Sequence, residues 1–260
     1  MQAAHSHDHE HEHTPSAPAQ AWVKTGLLLG LALYFLYNIV SGNLTNYINI
    51  RFSWLAYIAV AIFGALGAVS AYDLLRARRA EQAHDDHDHY HNHDHVSWPV
   101  LFITAIPLLL GTLIPSQPLG ASAIDGNIST NVVAVSSMST LGSDPLQWNV
   151  LDWLRAFNKS TNLAEFNNQP ADVIGFVYRE PDFAEDTFMV ARFTISCCVA
   201  DANAIGLPVV WPDNVALDDS QWVRVSGTFT LGAFRGQQIP LLVATAVEIV
   251  EQPKHPYLYP

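Results

Sequence analysis

The chain has 260 residues, half of them hydrophobic but only 14% charged, with a formal net charge of -12 when histidines are neutral. Soluble globular proteins carry about 25% charged residues, and the shortfall here falls in three long uncharged stretches, the mark of an integral membrane protein. The acidic balance excludes nucleic acid as a partner, because residues 115–260 hold 7 Lys and Arg against 15 Asp and Glu, whereas phosphate binding draws on cations.

Residues 1–21 are polar and His-rich, ending in Pro, Ala and Ser, and predict a disordered tail. Residues 22–41 then run almost without charge. Twenty helical residues rise ~30 Å, the thickness of a bilayer's hydrocarbon core, so this is the first predicted span. A short connector, 42–53, leads to a second span over 54–75, where Ala61, Gly64, Ala65, Ala68 and Ala71 recur at helical spacing. Such small residues either form a seam for close helix approach or simply reflect an Ala-rich apolar helix. Residues 98–114 give a third, shorter span, interrupted by Pro107, which removes a backbone hydrogen bond and predicts a kink.

Orientation follows from the arginines. Short Lys/Arg-rich loops stay in the cytoplasm, and the loop 76–97 carries Arg76, Arg78 and Arg79 while 42–53 carries only Arg51. The N-terminus and the loop 76–97 are therefore expected inside, and the C-terminal half outside.

Residues 115–147, rich in Ser, Thr, Gly, Asn and Pro, read as a linker. Residues 148–158 show helical spacing (Trp148, Leu151, Leu154, Phe157) and predict a short amphipathic helix. Beyond it the period changes to two. Residues 172–179, 187–196, 207–211, 222–231 and 239–250 are rich in Val, Ile, Phe and Thr, bounded by Gly, Pro, Asp and Asn, and predict five strands. The fold class is thus a membrane α-helical N-terminal half with three transmembrane helices, followed by a mainly-β, OB-like small barrel over 148–260 with one short helix.

Two histidine tracts carry the most evident chemistry: His5, His7, His9, His11 and His13 near the start, and His84, His87, His89, His91, His93 and His95 in the second loop, interleaved with Asp and Glu. Imidazole and carboxylate donors suit zinc and neighbouring divalent ions. A solvated low-complexity loop would have the same composition; reversible metal capture is the favoured reading. The other feature is Cys197-Cys198, followed by Asp201. Two thiols and a carboxylate could form a soft metal site if the chain bends there; otherwise one thiol is buried and the other lies in a turn. Continuing the strand's alternation puts Cys197 on the buried face of Phe193 and Ile195, and Cys198 on the accessible face. No phosphate-binding glycine loop, Ser-His-Asp set or HExxH occurs, so no catalytic residues are assigned and an enzyme is not expected. No cofactor is implied beyond zinc or another divalent ion.

The helices with their His/Asp-rich loop, then I-G-F-V-Y-R, F-x-V-A-R-F-x-I-S-C-C-x-A-D-A and W-V-R-V-S-G-T-F, together resemble the YcgQ-like family of bacterial membrane proteins over most of the chain. Arg192, Cys197, Cys198, Asp201 and Ala202 match its most distinctive segment, and no catalytic role comes with them. The resemblance implies a bacterial inner-membrane protein, the smaller partner of a multi-span permease. The expected function is an accessory permease subunit linked to divalent metal transport or sensing. The alternative is a stand-alone surface protein working through metal binding or thiol redox chemistry at Cys197 and Cys198.

Overall fold

The computed structural model describes residues 17–81, 97–124, 128–130, 144–212 and 217–260. They form two units: a helical one from residues 17–40, 54–81 and 97–115, and a sheet unit from residues 41–53 and the described residues from 116 onward.

The helical unit consists of α1 (Ala17–Ser41), α2 (Trp54–Glu81) and α3 (Trp98–Leu113). Two stretches are long and apolar enough to cross a membrane, Ala19–Ser41 and Ile50–Arg79, whereas α3 has only 16 residues. Only 17% and 11% of the apolar window in each is buried among the described residues, so both are candidate spans. α1 and α2 meet through Thr25 Oγ1 and Ser70 Oγ, 2.6 Å apart, and through the stacked rings of Phe35 and Phe63. The closest packing is at Gly67, where a Cβ would collide with the Leu29 side chain. The small-residue seam proposed from sequence is not that contact: Ala61, Ala65 and Ala68 are exposed, and the inward line runs through Ala56 and Gly67 instead. Near one end of the pair the Arg78 guanidinium lies over the Trp22 ring, 4.8 Å from its centroid.

The sheet unit contains α4 (Val150–Lys159) and the strands β1 (Pro170–Tyr178), β2 (Thr187–Thr194), β3 (Asn203–Val210), β4 (Trp222–Phe234), β5 (Gln237–Ile249) and β6 (Tyr257–Leu258). α4 begins one residue after Asn149, whose side chain accepts from the Leu151 and Asp152 N–H groups while Asp152 Oδ2 accepts from the Asn149 N–H. This reciprocal cap satisfies donors a helix start leaves open. The strands pair β1–β4, β4–β5, β5–β3, β3–β2 and β2–β1, a ring of contacts, with β6 added beside β2. What these pairings establish is a mixed sheet, antiparallel except at β3–β5 and β2–β6. β1 serves two neighbours, and at Gly175, where it turns from β4 toward β2, a Cβ would strike the Ala191 carbonyl oxygen. Gly is required there by close backbone approach.

β2 is buried on both faces, which is why it reads as a nearly continuous apolar run. Phe188 and Val190 enter one core with Trp153, Leu154 and Phe157 of α4 and with Phe229 and Leu242. Met189, Ala191 and Phe193 enter a second core with Ile128, Phe176, Ile195 and Tyr257. The second core needs a cover, and the segment expected to be a plain linker supplies part of it. Ile128 is buried there, Leu119, Ala121 and Ile124 pack beside it, and Ser129 bridges to Ile205.

Candidate functional site

β2 ends at Thr194, two residues before the strand expected from sequence, and its alternation stops there. Ile195 is still buried, but Ser196 and Cys197 are exposed and Cys198 is half-buried. The cause is Asp201. Its Oδ1 accepts from the Ser196 N–H at 3.0 Å and its Oδ2 from the Cys197 N–H at 2.8 Å, which curls the chain away from the sheet. The expectation of a buried Cys197 is therefore corrected: the bend turns Cys197 outward and leaves Cys198 the more covered of the two.

The Cys197 S–H points at the Cys198 sulfur, with the two Sγ atoms 3.6 Å apart. Hydrogen bonding to Asp201 and to Cys198 pushes the Cys197 thiol up to about 11. Burial alone would raise Asp201, but the donors gathered round it, from Cys197, Ser196 and Cys198, outweigh that and hold its carboxyl below the usual carboxylate range. Asp201 is thus committed to its own turn. Among the described residues, no three His, Cys, Asp or Glu side chains come together to hold a metal ion. Cys197, Cys198 and Asp201 are brought together as a turn, with the two thiols side by side. Both histidine tracts, from His5 to His13 and from His84 to His95, lie outside the described residues, as do residues 1–16 of the tail expected to be disordered. Its last five residues, 17–21, instead open α1, with Pro18 in the first turn, where a helix tolerates it.

The connector between α1 and α2 docks on this turn. Asn49 donates its backbone N–H to the Cys197 carbonyl at 3.0 Å, Val199 donates to the Tyr47 carbonyl at 2.9 Å, and Ile48 forms an antiparallel bridge with Cys198. The Asn49 side chain, with the residue only 2% exposed, donates to the Ser196 carbonyl at 2.8 Å and accepts from the Arg51 N–H. Asn46 donates to Ser116 Oγ, and its own carbonyl accepts from the Tyr257 hydroxyl, which in turn accepts from the Leu119 N–H. Burial raises the Tyr257 hydroxyl above its ordinary value, so it acts as a neutral link in this chain.

Arg192 lies behind the turn and is 6% exposed. Its Nε donates to the Pro256 carbonyl, Nη1 to that of Ile174 and Nη2 to that of His255, at 2.9–3.1 Å, and its guanidinium lies 5.1 Å from the Trp222 ring centroid. Burial pulls the guanidinium down to about 10, so it is still charged at neutral pH. A planar fork that bonds three carbonyls at once is what lysine cannot provide. Arg192 thereby fixes the C-terminal tail beside β2. Sequence reasoning singled out Arg192 by its motif but missed its role, and it passed over Asn46, Asn49 and Tyr257 entirely. The available signal was the run Asn43, Asn46, Asn49 in a loop expected to do no more than turn between helices.

These observations define a class: an apolar helical unit joined to a mixed-sheet domain that holds the loop between the first two helices. The chain belongs to the DUF1980 family, matching its N-terminal domain over residues 23–129 and its C-terminal domain over residues 139–260. It is 24% identical to the UPF0703 protein YcgQ of Bacillus subtilis (strain 168), over 90% of this chain and 97% of that one. It is 26% identical to a Streptococcus mutans protein with the provisional name two-component membrane permease complex subunit, over 88% of this chain and 97% of that one.

Proposed function

We propose that this protein is the accessory subunit of a membrane permease complex, with three spans, a cytoplasmic loop 76–97 and an extracytoplasmic sheet domain. The name of the Streptococcus mutans relative supports the permease assignment. The membrane arrangement is carried by one observation: residues 41–53 belong to the same compact unit as the sheet. A loop and a domain packed together share one side of a membrane. α2 and α3 are the two helices between them, so either both cross or neither does. α2 has 28 residues and an exposed apolar surface, ample for the ~30 Å hydrocarbon core. With α2 crossing, α3 crosses as well. At 16 residues it spans only ~24 Å, a mismatch that local thinning of the bilayer accommodates. Arg76, Arg78 and Arg79 then set the orientation. Three spans are few to enclose a transport path, which is what calls for a multi-span partner. We read the ring of five strands as a small OB-type barrel on the strength of its pairing order.

A divalent metal as the cargo rests on the two histidine tracts alone. A peptide covering 84–95 is expected to bind zinc near pH 7 and release it toward pH 5, since imidazole must be neutral to coordinate. Calorimetry giving no binding at pH 7 would remove the metal from the proposal. Affinity isolation from membranes tests the rest: a stoichiometric polytopic partner is expected, and recovery of this chain alone overturns the subunit assignment. On a background lacking Cys197 and Cys198, an impermeant thiol reagent should label Ser129→Cys and spare Asn92→Cys in intact cells. The reverse pattern would invert the topology.

A further inference from the structure

We propose that Cys197 and Cys198 form a reversible dithiol modification site, with a small-molecule or protein disulfide as co-reactant, and that its oxidation loosens the docked loop between α1 and α2. The inference does not depend on the permease assignment.

The reactive geometry comes first. The two sulfurs are in van der Waals contact at 3.6 Å, in a turn that leaves Cys197 exposed. The Cys197 thiol is within reach to donate to the Cys198 sulfur, which favours the Cys198 thiolate as the first to attack. Its thiolate displaces one half of the incoming disulfide, giving a mixed disulfide at Cys198 and a thiol that carries away the Cys198 proton. The Cys197 sulfur then attacks the Cys198 sulfur, and the second thiol leaves with the Cys197 proton. The cysteine pair is oxidised, the incoming disulfide is reduced to two thiols, and no other reactant is needed.

The coupling follows from chain geometry. Adjacent Cα atoms lie ~3.8 Å apart across a trans peptide, below the ~4.4 Å at which disulfides normally begin. Drawing the sulfurs from 3.6 Å to the ~2.05 Å of a bond therefore distorts the peptide between them. That peptide's carbonyl is the acceptor for the Asn49 N–H, and the next amide, of Val199, is the donor to Tyr47. Closing the bond turns these groups away from residues 47–49, the segment whose chain continues into α1 on one side and α2 on the other.

The experiment uses the full-length protein in detergent micelles, with oxidised glutathione as the probe disulfide. Intact mass should show the loss of two hydrogens with no retained adduct and no remaining free thiol, restored by a reductant. Hydrogen exchange at the Asn49 and Val199 amides should quicken by about two- to tenfold, the change expected for loss of one hydrogen bond, with Val190 in the core unchanged. Cys198→Ser should keep the slow exchange under reducing conditions and show no quickening with glutathione. A stable glutathione adduct, a disulfide between two chains or no reaction at either cysteine would each overturn the site. A closed vicinal disulfide with unchanged exchange at Asn49 and Val199 would overturn the coupling, as would quickening in Cys198→Ser.

Discussion

The two units handle apolar side chains in opposite ways. In the helical unit Leu33, Val40 and Leu113 are 65%, 80% and 76% exposed, whereas the sheet unit seals Trp153, Phe188 and Phe229 at 0%. Water does not leave so much contiguous apolar surface uncovered. The first unit is built for lipid, where van der Waals fit and a few polar contacts such as Thr25 with Ser70 hold helices together. The second is built for water, where burial itself is the driving force. The connector 42–53 belongs to the second unit, and its buried Asn46 and Asn49 side chains are hydrogen-bonded to Ser116 and Ser196 there.

The sharpest way to break this contrast is to delete one residue from each unit. Trp153→Ala removes the ring that touches Trp148, Phe157, Phe166 and Phe229, and should cost about 3–5 kcal/mol. Val40→Ala should change stability by less than about 0.5 kcal/mol. Thermal unfolding of the full-length protein in micelles compares them, and similar losses from both would dissolve the distinction. Next in size is Arg192→Met, which leaves the carbonyls of Ile174, His255 and Pro256 without their donor. A loss of about 1–3 kcal/mol is expected, with faster hydrogen exchange confined at first to 255–258 and the adjoining edge of β2. Asn49→Ala should cost about 1 kcal/mol and show itself locally, as proteolysis within 42–53 while the sheet stays resistant.

The smallest effect concerns pH. Asp201 holds its proton more weakly in the folded state than in the unfolded chain, so its contribution to stability is complete above the ordinary carboxylate value of about 3.9 and is lost as pH falls through its lowered folded value. The Ser196 and Cys197 amides, followed by NMR, should shift only in that acid range. A transition between pH 5 and 7 would contradict the assignment of Asp201 as the cap of the turn.

Much of this was legible in the chain. Apolar length gave α1, α2 and α3 within a few residues, and period-two runs gave five of the six strands. The expected 207–211 strand was too short: β3 begins at Asn203, runs through Gly206 and pairs with β2 along its whole length. Its place in the sheet, between β2 and β5, overrides the local preference. β6 was missed because two residues carry no period. The cysteine turn was mispredicted for a similar reason: alternation is a property of strands, and the Asp201 carboxylate ended the strand four residues ahead of Cys198. Asn49 shows the limit of local reading most clearly, since its partner is the carbonyl of Ser196 and nothing near it in sequence indicates that.

The same separation bears on how the protein is made. The Asn49 side chain and its acceptor are 147 residues apart. At about 5–20 residues per second, the loop emerges from the ribosome roughly seven to thirty seconds before the turn that receives it. During that interval its amides must be satisfied by water, and its asparagines and threonine make such a wait tolerable. Seating the loop is therefore a late event in biogenesis, after all three helices have been synthesised.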